Sequence, residues 1–467
     1  MDSLSLIRRQ RWLLCVALIV LIFGAGVGFA AEPEDADKEQ KLEEIIEAQQ
    51  RQLDAQQKEL EEQREMLQEL LLRIEHEPAP TTVPAPEAED SEPNAPVQEA
   101  QTEPAWPGSI SLFDTKTRLA IGGFVQLDVI HDTDAIGAPC EFITATIPTD
   151  GGTPAQGADG QTNFCINTSR LTFESRTPTR FGRLTTFLSG DLYGDALSAS
   201  PEPRVRQAYG ELEGALWGGD LLVGQAWGTY VDLDAWPDIL DFEGPGSAIA
   251  YRQPMVRWSK ALADHVDLRI ALEQPGNGAV QDADPLTRWP DLVGTLKWSH
   301  GGGHLRAAGL VRDLRASAAD GRPASATGWG LAGSGKVILP AKSSFLFEAS
   351  FGEGVGGYFN DIQTIGVYDP ATPSLELVPL FAYYLAFDHS WSHTLSSSVL
   401  YAALDFDNLE SQPEDEGENT GYISLNLIWR PITALMFGAE FLSGERRDKS
   451  GAEGTDNRLQ LSGRFSF

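Results

Sequence analysis

Apolar and polar residues alternate with a period of two in many short segments between residues 117 and 467. In the final segment one face carries Leu459, Leu461, Gly463, Phe465 and Phe467, and the residues between them are polar. An ordinary sheet edge with such a face needs a second layer to bury it. A membrane-barrel strand of about 9 to 11 residues turns its apolar face to lipid instead. The pattern therefore predicts an all-β transmembrane barrel of antiparallel strands.

About 16 such segments can be counted, and their connections alternate between short turns, such as Thr177-Pro178-Thr179, and long polar stretches. In outer-membrane barrels the short turns lie in the periplasm, and an even strand count places both barrel ends there. An 18-stranded barrel is the alternative, because one or two hairpins fit in the loops after Asp282 or Phe351. The expected strands are 118–131, 164–176, 181–193, 204–214, 219–227, 249–260, 265–274, 288–299, 303–314, 327–339, 343–352, 376–389, 393–405, 419–430, 433–443 and 457–467.

The first 30 residues have the order of a secretory signal peptide. Three arginines precede an apolar run from Trp12 to Phe23, and small residues follow it. The run is shorter than the roughly 20 residues that a membrane-spanning helix needs. We therefore expect export, with loss of residues 1–30 and the barrel of residues 117–467 in the bacterial outer membrane.

Two further segments precede the barrel. Residues 31–76 predict a periplasmic α-helical coiled coil, because apolar residues recur every seven positions. Such a helix is expected to associate with copies of itself, and a lone charged helix is the alternative. Residues 77–116 are a Pro-rich acidic linker, since scattered prolines favour extended conformations. The heptad positions are Ile46, Leu53, Leu60, Leu67 and Ile74.

The charge of the chain argues against a nucleic-acid partner. The chain has 35 Lys and Arg against 68 Asp and Glu, a formal net charge of -33, which repels a polyanion. Residues 31–105 alone hold 22 acids and 6 bases, so the total charge is a poor guide to the pore. Cys140 and Cys165 lie in one loop, and an oxidising periplasm favours a disulfide between them.

Strand parity predicts arginines on the inner wall of the barrel. Arg170 and Arg176 alternate with Leu171 and Phe173, and the same argument places further arginines inside. A charged side chain on the lipid face costs about 2 to 4 kcal/mol at the bilayer midplane, which enforces the assignment. The other inward arginines are Arg269, Arg306, Arg312, Arg458 and Arg464.

The stretch 228–245 is too apolar for a loop that is exposed to water. We expect it to fold into the barrel, where it narrows the pore and its acidic residues face the lumenal arginines. Charged rings at such a constriction decide ion selectivity. Arg252 and Arg257 have opposite parity, so both face inward only if a bulge occurs near Gln253-Pro254. The acidic residues of this constriction loop are Asp232, Asp234, Asp238, Asp241 and Glu243.

Seven short motifs stand out along the first half of the barrel region. They are Gly122-Gly123-Phe124-Val125-Gln126-Leu127-Asp128, Ser169-Arg170-Leu171, Arg204-Val205-Arg206-Gln207-Ala208-Tyr209-Gly210, Gly224-Gln225-Ala226-Trp227, Asp232-Leu233-Asp234, Leu240-Asp241-Phe242-Glu243-Gly244-Pro245 and Arg252-Gln253-Pro254-Met255-Val256-Arg257. These motifs resemble those of the DcaP-like outer-membrane porins, and with the coiled coil and linker the resemblance spans nearly the whole mature chain. It implies a trimeric 16-stranded channel for small organic anions such as dicarboxylates, with periplasmic coiled coils. By the same resemblance Arg170, Arg204, Arg206, Arg252 and Arg257 are pore arginines.

The sequence thus predicts a passive outer-membrane porin that prefers small anions and is not an enzyme. Its expected partners are two further copies of itself, through coiled coil and barrel, the outer-membrane lipids and small anionic solutes. We expect no cofactor and no metal, since the paired histidines straddle predicted turns and the glycine-rich stretches lack a following helix. The nearer alternative is a general, sugar or cation-preferring porin. The more distant one is a structural tether between outer membrane and cell wall.

Overall fold

The computed structural model describes residues 106–112, 115–149, 157, 159–195, 197–276, 278–318, 321–361 and 364–467. Short 3₁₀ turns occur at Thr144–Thr146, Leu233–Ala235 and Gly356–Tyr358. The strands are β1 (Ile110–Ser111), β2 (Arg118–Asp132), β3 (Gln161–Cys165), β4 (Arg170–Thr179), β5 (Gly182–Asp191), β6 (Arg204–Leu216), β7 (Gly219–Trp227), β8 (Arg252–Ala263), β9 (Val266–Glu273), β10 (Ala279–Gln281), β11 (Asp284–Thr287), β12 (Asp291–His300), β13 (Gly303–Ser317), β14 (Pro323–Leu339), β15 (Ser343–Glu353), β16 (Thr364–Asp369), β17 (Ser374–Leu377), β18 (Pro379–Ser390), β19 (Leu395–Phe406), β20 (Gly417–Ile432), β21 (Leu435–Asp448) and β22 (Glu453–Ser466).

The large sheet closes on itself because β2 pairs antiparallel with β22, from Phe124 opposite Ser466 to Asp132 opposite Arg458. β3 and β4 both pair with β2 and together make one wall strand. With β5–β9, β12–β15 and β18–β22 the barrel has 16 antiparallel strands. The predicted 16-stranded barrel is confirmed. After Asp282, β11 pairs with β13 next to β12 and extends that wall strand instead of adding another, and the strands after Phe351 belong to a separate sheet.

The N-terminal predictions lie outside the described residues. The signal peptide (1–30), the coiled coil (31–76) and the linker up to residue 105 belong to the part of the chain that is not described. Within the described part, no helix has the length and apolarity to cross a membrane.

The outer wall is apolar and the inner wall is polar, the reverse of a soluble barrel. On β13, Leu305 is 46% exposed and Val311 is 51% exposed, whereas Arg306 and Arg312 between them are buried. Successive side chains of a strand point to opposite faces, so the exposed leucine and valine face lipid and the arginines face the lumen. The parity that the sequence predicted is therefore present along this strand.

Short turns join neighbouring strands at one end of the barrel. In the turn after β14, both Ala341 and Lys342 have positive φ, 58° and 57°. Two central residues with positive φ define the turn whose twist matches the flanking strands. The turn predicted at Thr177-Pro178-Thr179 is displaced, because β4 runs on to Thr179 and the turn lies at 180–181.

The long loops at the other end form a small structure of their own. β10, β16 and β17 make a separate three-stranded sheet, which packs through Ile365 and Leu375 against Leu314 near the end of β13. A disulfide joins Cys140 in the first long loop to Cys165 at the end of β3. These contacts fix the loops above the lumen.

Candidate pore constriction

The loop between β7 and β8, residues 228–251, folds into the barrel and is referred to below as the constriction loop. At its start Thr229 N donates to Glu273 Oε1 on β9 at 2.7 Å, and Arg306 Nη1 on β13 donates to Tyr230 O at 3.1 Å. Tyr230 is fully buried and its hydroxyl lies 3.0 Å from Ser350 Oγ on β15. The loop therefore starts by crossing the lumen to the opposite wall.

Polar side chains of β12–β14 hold the first acidic residues of the loop. Asp232 Oδ2 accepts a hydrogen bond from Ser334 Oγ at 2.6 Å and lies 2.9 Å from His304 Nε2. Asp234 forms an ion pair with Lys297. Among the described residues, neither carboxylate forms a direct ion pair with an arginine, although the charge of Arg306 acts on Asp232.

The second half of the loop is fixed to β20–β22. Arg430 on β20 forms a two-bond ion pair with Asp238, at 2.7 and 3.0 Å. Glu440 on β21 accepts the backbone N–H groups of Leu240 and Asp241, the latter at 3.0 Å. Tyr422 Oη donates to Asp241 Oδ2 at 3.0 Å. We call the side chains of β12–β22 that contact the constriction loop the loop anchors: Lys297, His304, Ser334, Tyr422, Arg430 and Glu440.

The acidic groups of the loop region differ in their pKa values. Burial raises the pKa of Glu141 to about 7, and burial together with the nearby Glu141 carboxyl raises the pKa of Glu243 well above its usual range. For Asp232 burial acts in the same direction, but the hydrogen bond from Ser334 and the charge of Arg306 outweigh it and lower its pKa. Burial thus disfavours ionisation of Glu243, whereas the contacts of Asp232 favour its ionised form.

The opposite side of the lumen carries most of the predicted pore arginines, and we call Arg170, Arg204, Arg206, Arg252 and Arg257 the arginine wall. Asp191 on β5 pairs with two of them: it accepts two bonds from Arg204, at 2.9 and 3.0 Å, and one from Arg206. This carboxylate was not among the predicted site residues. The single carboxylate of Asp191 therefore neutralises only one of the two guanidinium charges.

A bulge occurs in this wall, but not where the sequence predicted it. The β5–β6 register shifts where Ser189 pairs with Gln207 and Gly190 with Val205, which leaves Arg206 as the extra residue, buried beside Asp191. The β7–β8 pairing is regular from Arg252 through Ser259, so the bulge expected near Gln253-Pro254 is absent.

Arg252 and Arg257 reach the lumen side by different means. Arg257 follows the normal alternation of β8 and donates from Nη1 to Trp227 O at 3.3 Å. Arg252 is the first residue of the strand, where its long side chain bends over the Trp227 ring, 4.8 Å from the ring centre. At the end of a strand a long side chain can bend toward the lumen without a bulge, which is why the parity argument failed at Arg252.

Aromatic rings, rather than carboxylates, contact the remaining arginines of this side. Arg170 and Arg464 lie over Phe124, 5.4 and 4.2 Å from its centre. Among the described residues, no ion pair links Arg170, Arg252 or Arg257 to an acid. Their positive charge therefore stays uncompensated by direct contact.

Three predicted arginines lie outside the arginine wall, and one of them, Arg269, is close to its Arg257. Arg176 is six residues further along β4 than Arg170, a rise of about 20 Å, and pairs with Glu174 at 2.7 Å. Arg306 is buried against the loop backbone. Arg269 is exposed and lines a cavity of about 250 Å³ between the constriction loop and the β6–β13 wall, together with Arg257, Arg306, Lys297, Asp232 and Asp234.

The disulfide-bonded loop also supports the constriction. Tyr193 Oη donates to Cys140 O at 2.9 Å, and the Tyr193 ring stacks on Phe242 of the constriction loop at 4.1 Å. Phe242 in turn lies under the guanidinium of Arg206, 4.9 Å away. One chain of contacts thus connects the disulfide with the arginine wall.

A closed barrel that is apolar outside and polar inside is typical of outer-membrane proteins that span the bilayer with strands. The class that this architecture defines is the outer-membrane channel of the porin type. The sequence model of the DcaP outer membrane protein family matches residues 105–467, and the chain belongs to this family.

Solved structures agree with this assignment at the level of the fold. The outer membrane channel DcaP of Acinetobacter baumannii has a TM-score of 0.68 and 20% identity, covering 77% of this chain and 100% of that chain. The anion-selective porin from Comamonas acidovorans has a TM-score of 0.50 and 10% identity, covering 75% and 100%. No curated protein sequence matches this chain.

Proposed function

We propose that this outer-membrane channel admits small solutes by passive diffusion and prefers small organic anions such as dicarboxylates. The observation that carries the proposal is the unequal pairing of charge across the lumen. Asp232, Asp234 and Asp238 are engaged by the loop anchors, whereas Arg170 and Arg252 contact rings that leave their charge intact. A field of this kind attracts anions into the narrow part of the pore.

The cavity beside the loop supports the same preference. Its volume of about 250 Å³ suits a small organic acid, and four of its lining side chains are cationic. Lys297 is paired with Asp234, and Arg306 donates from both Nη1 and Nη2 to backbone carbonyls. Arg257 makes a single such bond, from Nη1 to the Trp227 carbonyl, so Arg257 and Arg269 are the cations with donors left for a solute. Two separate guanidinium groups suit a solute with two carboxylates, since each group binds a carboxylate through a planar fork.

The zero-current potential in a planar bilayer under a KCl gradient tests the proposal. We expect a chloride preference in the intact protein that weakens in Arg252→Ala and in Arg257→Ala. Arg176→Ala is the matched control, because it removes the same charge about 20 Å along β4 from Arg170, and salt screens a charge over a distance of about 10 Å at 0.1 M. A potassium preference that is insensitive to Arg252 and Arg257 would reject the anion assignment and favour a general, sugar or cation-preferring porin.

We further propose a homotrimer, formed by one face of the barrel and by the N-terminal coiled coil. On the outer surface, the hydroxyls of Ser175 and Thr186 bond each other at 2.6 Å, although side chains in lipid are normally apolar, as Leu425 and Phe441 are on the other side. Polar pairs of this kind suit contact with a neighbouring barrel better than contact with acyl chains.

Cysteine crosslinking tests the trimer and, with a deletion, the tether alternative. Thr186→Cys is expected to crosslink between copies and Leu425→Cys is not. Removal of residues 31–105 should weaken the trimer and leave conduction intact. If the shortened protein conducts normally while its outer membrane separates from the cell wall, the tether becomes the better account of the N-terminal region.

A further inference from the structure

Trp227 occupies the junction between the arginine wall and the cavity. It is the last residue of β7, lies directly opposite Arg252 in the β7–β8 pair, and is followed at once by the constriction loop. Its side chain is half-buried and lines the cavity. The strand end thus places one large ring where the pore is narrowed.

Three arginines contact this single residue. The guanidinium of Arg252 lies 4.8 Å from the ring centre and that of Arg206 lies 5.9 Å from it. Arg257 donates from Nη1 to the Trp227 carbonyl oxygen at 3.3 Å. No other aromatic residue in the described part of the chain contacts three arginines of the arginine wall.

A ring and a carboxylate hold an arginine with different consequences for charge. Asp191 orients Arg204 and Arg206, but its own charge cancels one of theirs. The face of an indole attracts a guanidinium through its quadrupole and adds no net charge. A ring therefore orders the side chain and leaves its full positive charge available to a passing anion.

We propose that Trp227 is the positioning residue that sets the anion preference of the pore. It holds Arg252 and Arg206 over its ring and Arg257 at its carbonyl, so that the positive charges of the wall and of the cavity form one continuous path. This inference rests on the proposed anion-preferring function. Organic acids with two carboxylates should be attracted most strongly, because they contact positive charges on both sides of the ring at once.

Two substitutions of similar bulk separate this role from space filling. Trp227→Leu removes the ring but keeps an apolar side chain, and Trp227→Phe keeps a ring face. We expect the ratio of chloride to potassium permeability to fall about two- to fivefold in the leucine variant, as for the loss of one such contact, and to stay near the native ratio in the phenylalanine variant. Block of chloride current by succinate should weaken in parallel.

Controls separate failure of this inference from failure of the proposed function. Trp298→Ala removes a tryptophan that is exposed on the outer wall and should change neither readout. Equal loss of selectivity in the leucine and phenylalanine variants, or native selectivity in both, overturns the role of the ring. If the leucine variant does not fold, Trp227→Met takes its place in the comparison. A native protein without chloride preference rejects the proposed function itself, whatever Trp227 does.

Discussion

The two sides of the lumen handle charge in opposite ways. On the β12–β22 side the constriction loop meets groups that satisfy it: His304 and Ser334 at Asp232, and Arg430 at Asp238. On the arginine wall, Arg252 lies over a ring and contacts no carboxylate among the described residues. Charged groups on the β12–β22 side hold the constriction loop in place, whereas on the arginine wall a charge such as that of Arg252 is left without a carboxylate partner in the described part of the chain.

This difference explains why counting charges misleads for this protein. The chain has a net charge of -33, and the loop that narrows the pore is acidic. A carboxylate that is paired or protonated contributes little to the field in the lumen, because selectivity depends on the charges that remain uncompensated at the constriction. The proposed anion preference therefore rests on how the charges are paired and not on the composition of the chain.

Release of the loop anchors should have the largest effect. Glu440→Ala removes the acceptor for the N–H groups of Leu240 and Asp241 and for the hydroxyl of Ser424. Each buried donor left without a partner costs about 1 to 3 kcal/mol, so we expect the loop to leave the wall. Single-channel conductance should rise and chloride preference should fall, because the narrow region then widens. Recordings in planar bilayers measure both quantities.

Glu440→Gln is the matched control for this variant. Glutamine has nearly the same shape and keeps one carbonyl oxygen for the loop N–H groups, so its conductance should stay close to that of the native channel. An alanine variant with native conductance would show that the other anchors suffice and that Glu440 does not hold the loop.

The sequence predicts the barrel well because lipid and water impose a period of two on every strand. The strand expected at 118–131 is observed at Arg118–Asp132, and the one expected at 219–227 is observed with those bounds. Parity also places Arg306 and Arg312 inside. These features depend only on each strand's own residues and on the cost of exposing charge to lipid.

Contacts between distant elements could not be predicted in this way. Nothing local pairs Asp238 with Arg430, which is 192 residues later, or makes Asp191 rather than the loop the partner of Arg204. The bulge at Arg206 depends on the register with β5. Such contacts follow from which strands meet across the lumen, and alternation carries no information about that.

A change of pH should alter the chloride preference of the pore less than release of the constriction loop does. Burial raises the pKa of Glu141 to about 7 from its ordinary 4.5, so the group is mostly neutral at pH 6 and mostly ionised at pH 8. Burial and the neighbouring Glu141 carboxyl also raise the pKa of Glu243 well above its ordinary value. A new negative charge close to Arg204 reduces the positive field of the arginine wall. We therefore expect chloride preference to decrease as pH rises from 6 to 8, measured as zero-current potential.

Two variants assign this pH dependence to one carboxyl group. Glu141→Gln cannot ionise and should keep the selectivity of the native channel at pH 6 throughout the range. Asp361→Asn is the matched control, since burial raises the pKa of Asp361 only to about 6, and the native slope between pH 7 and 8 should persist in it. A slope that survives in Glu141→Gln would mean that the arginine wall does not sense this group. The division between the two sides of the lumen would then not extend to the disulfide-bonded loop.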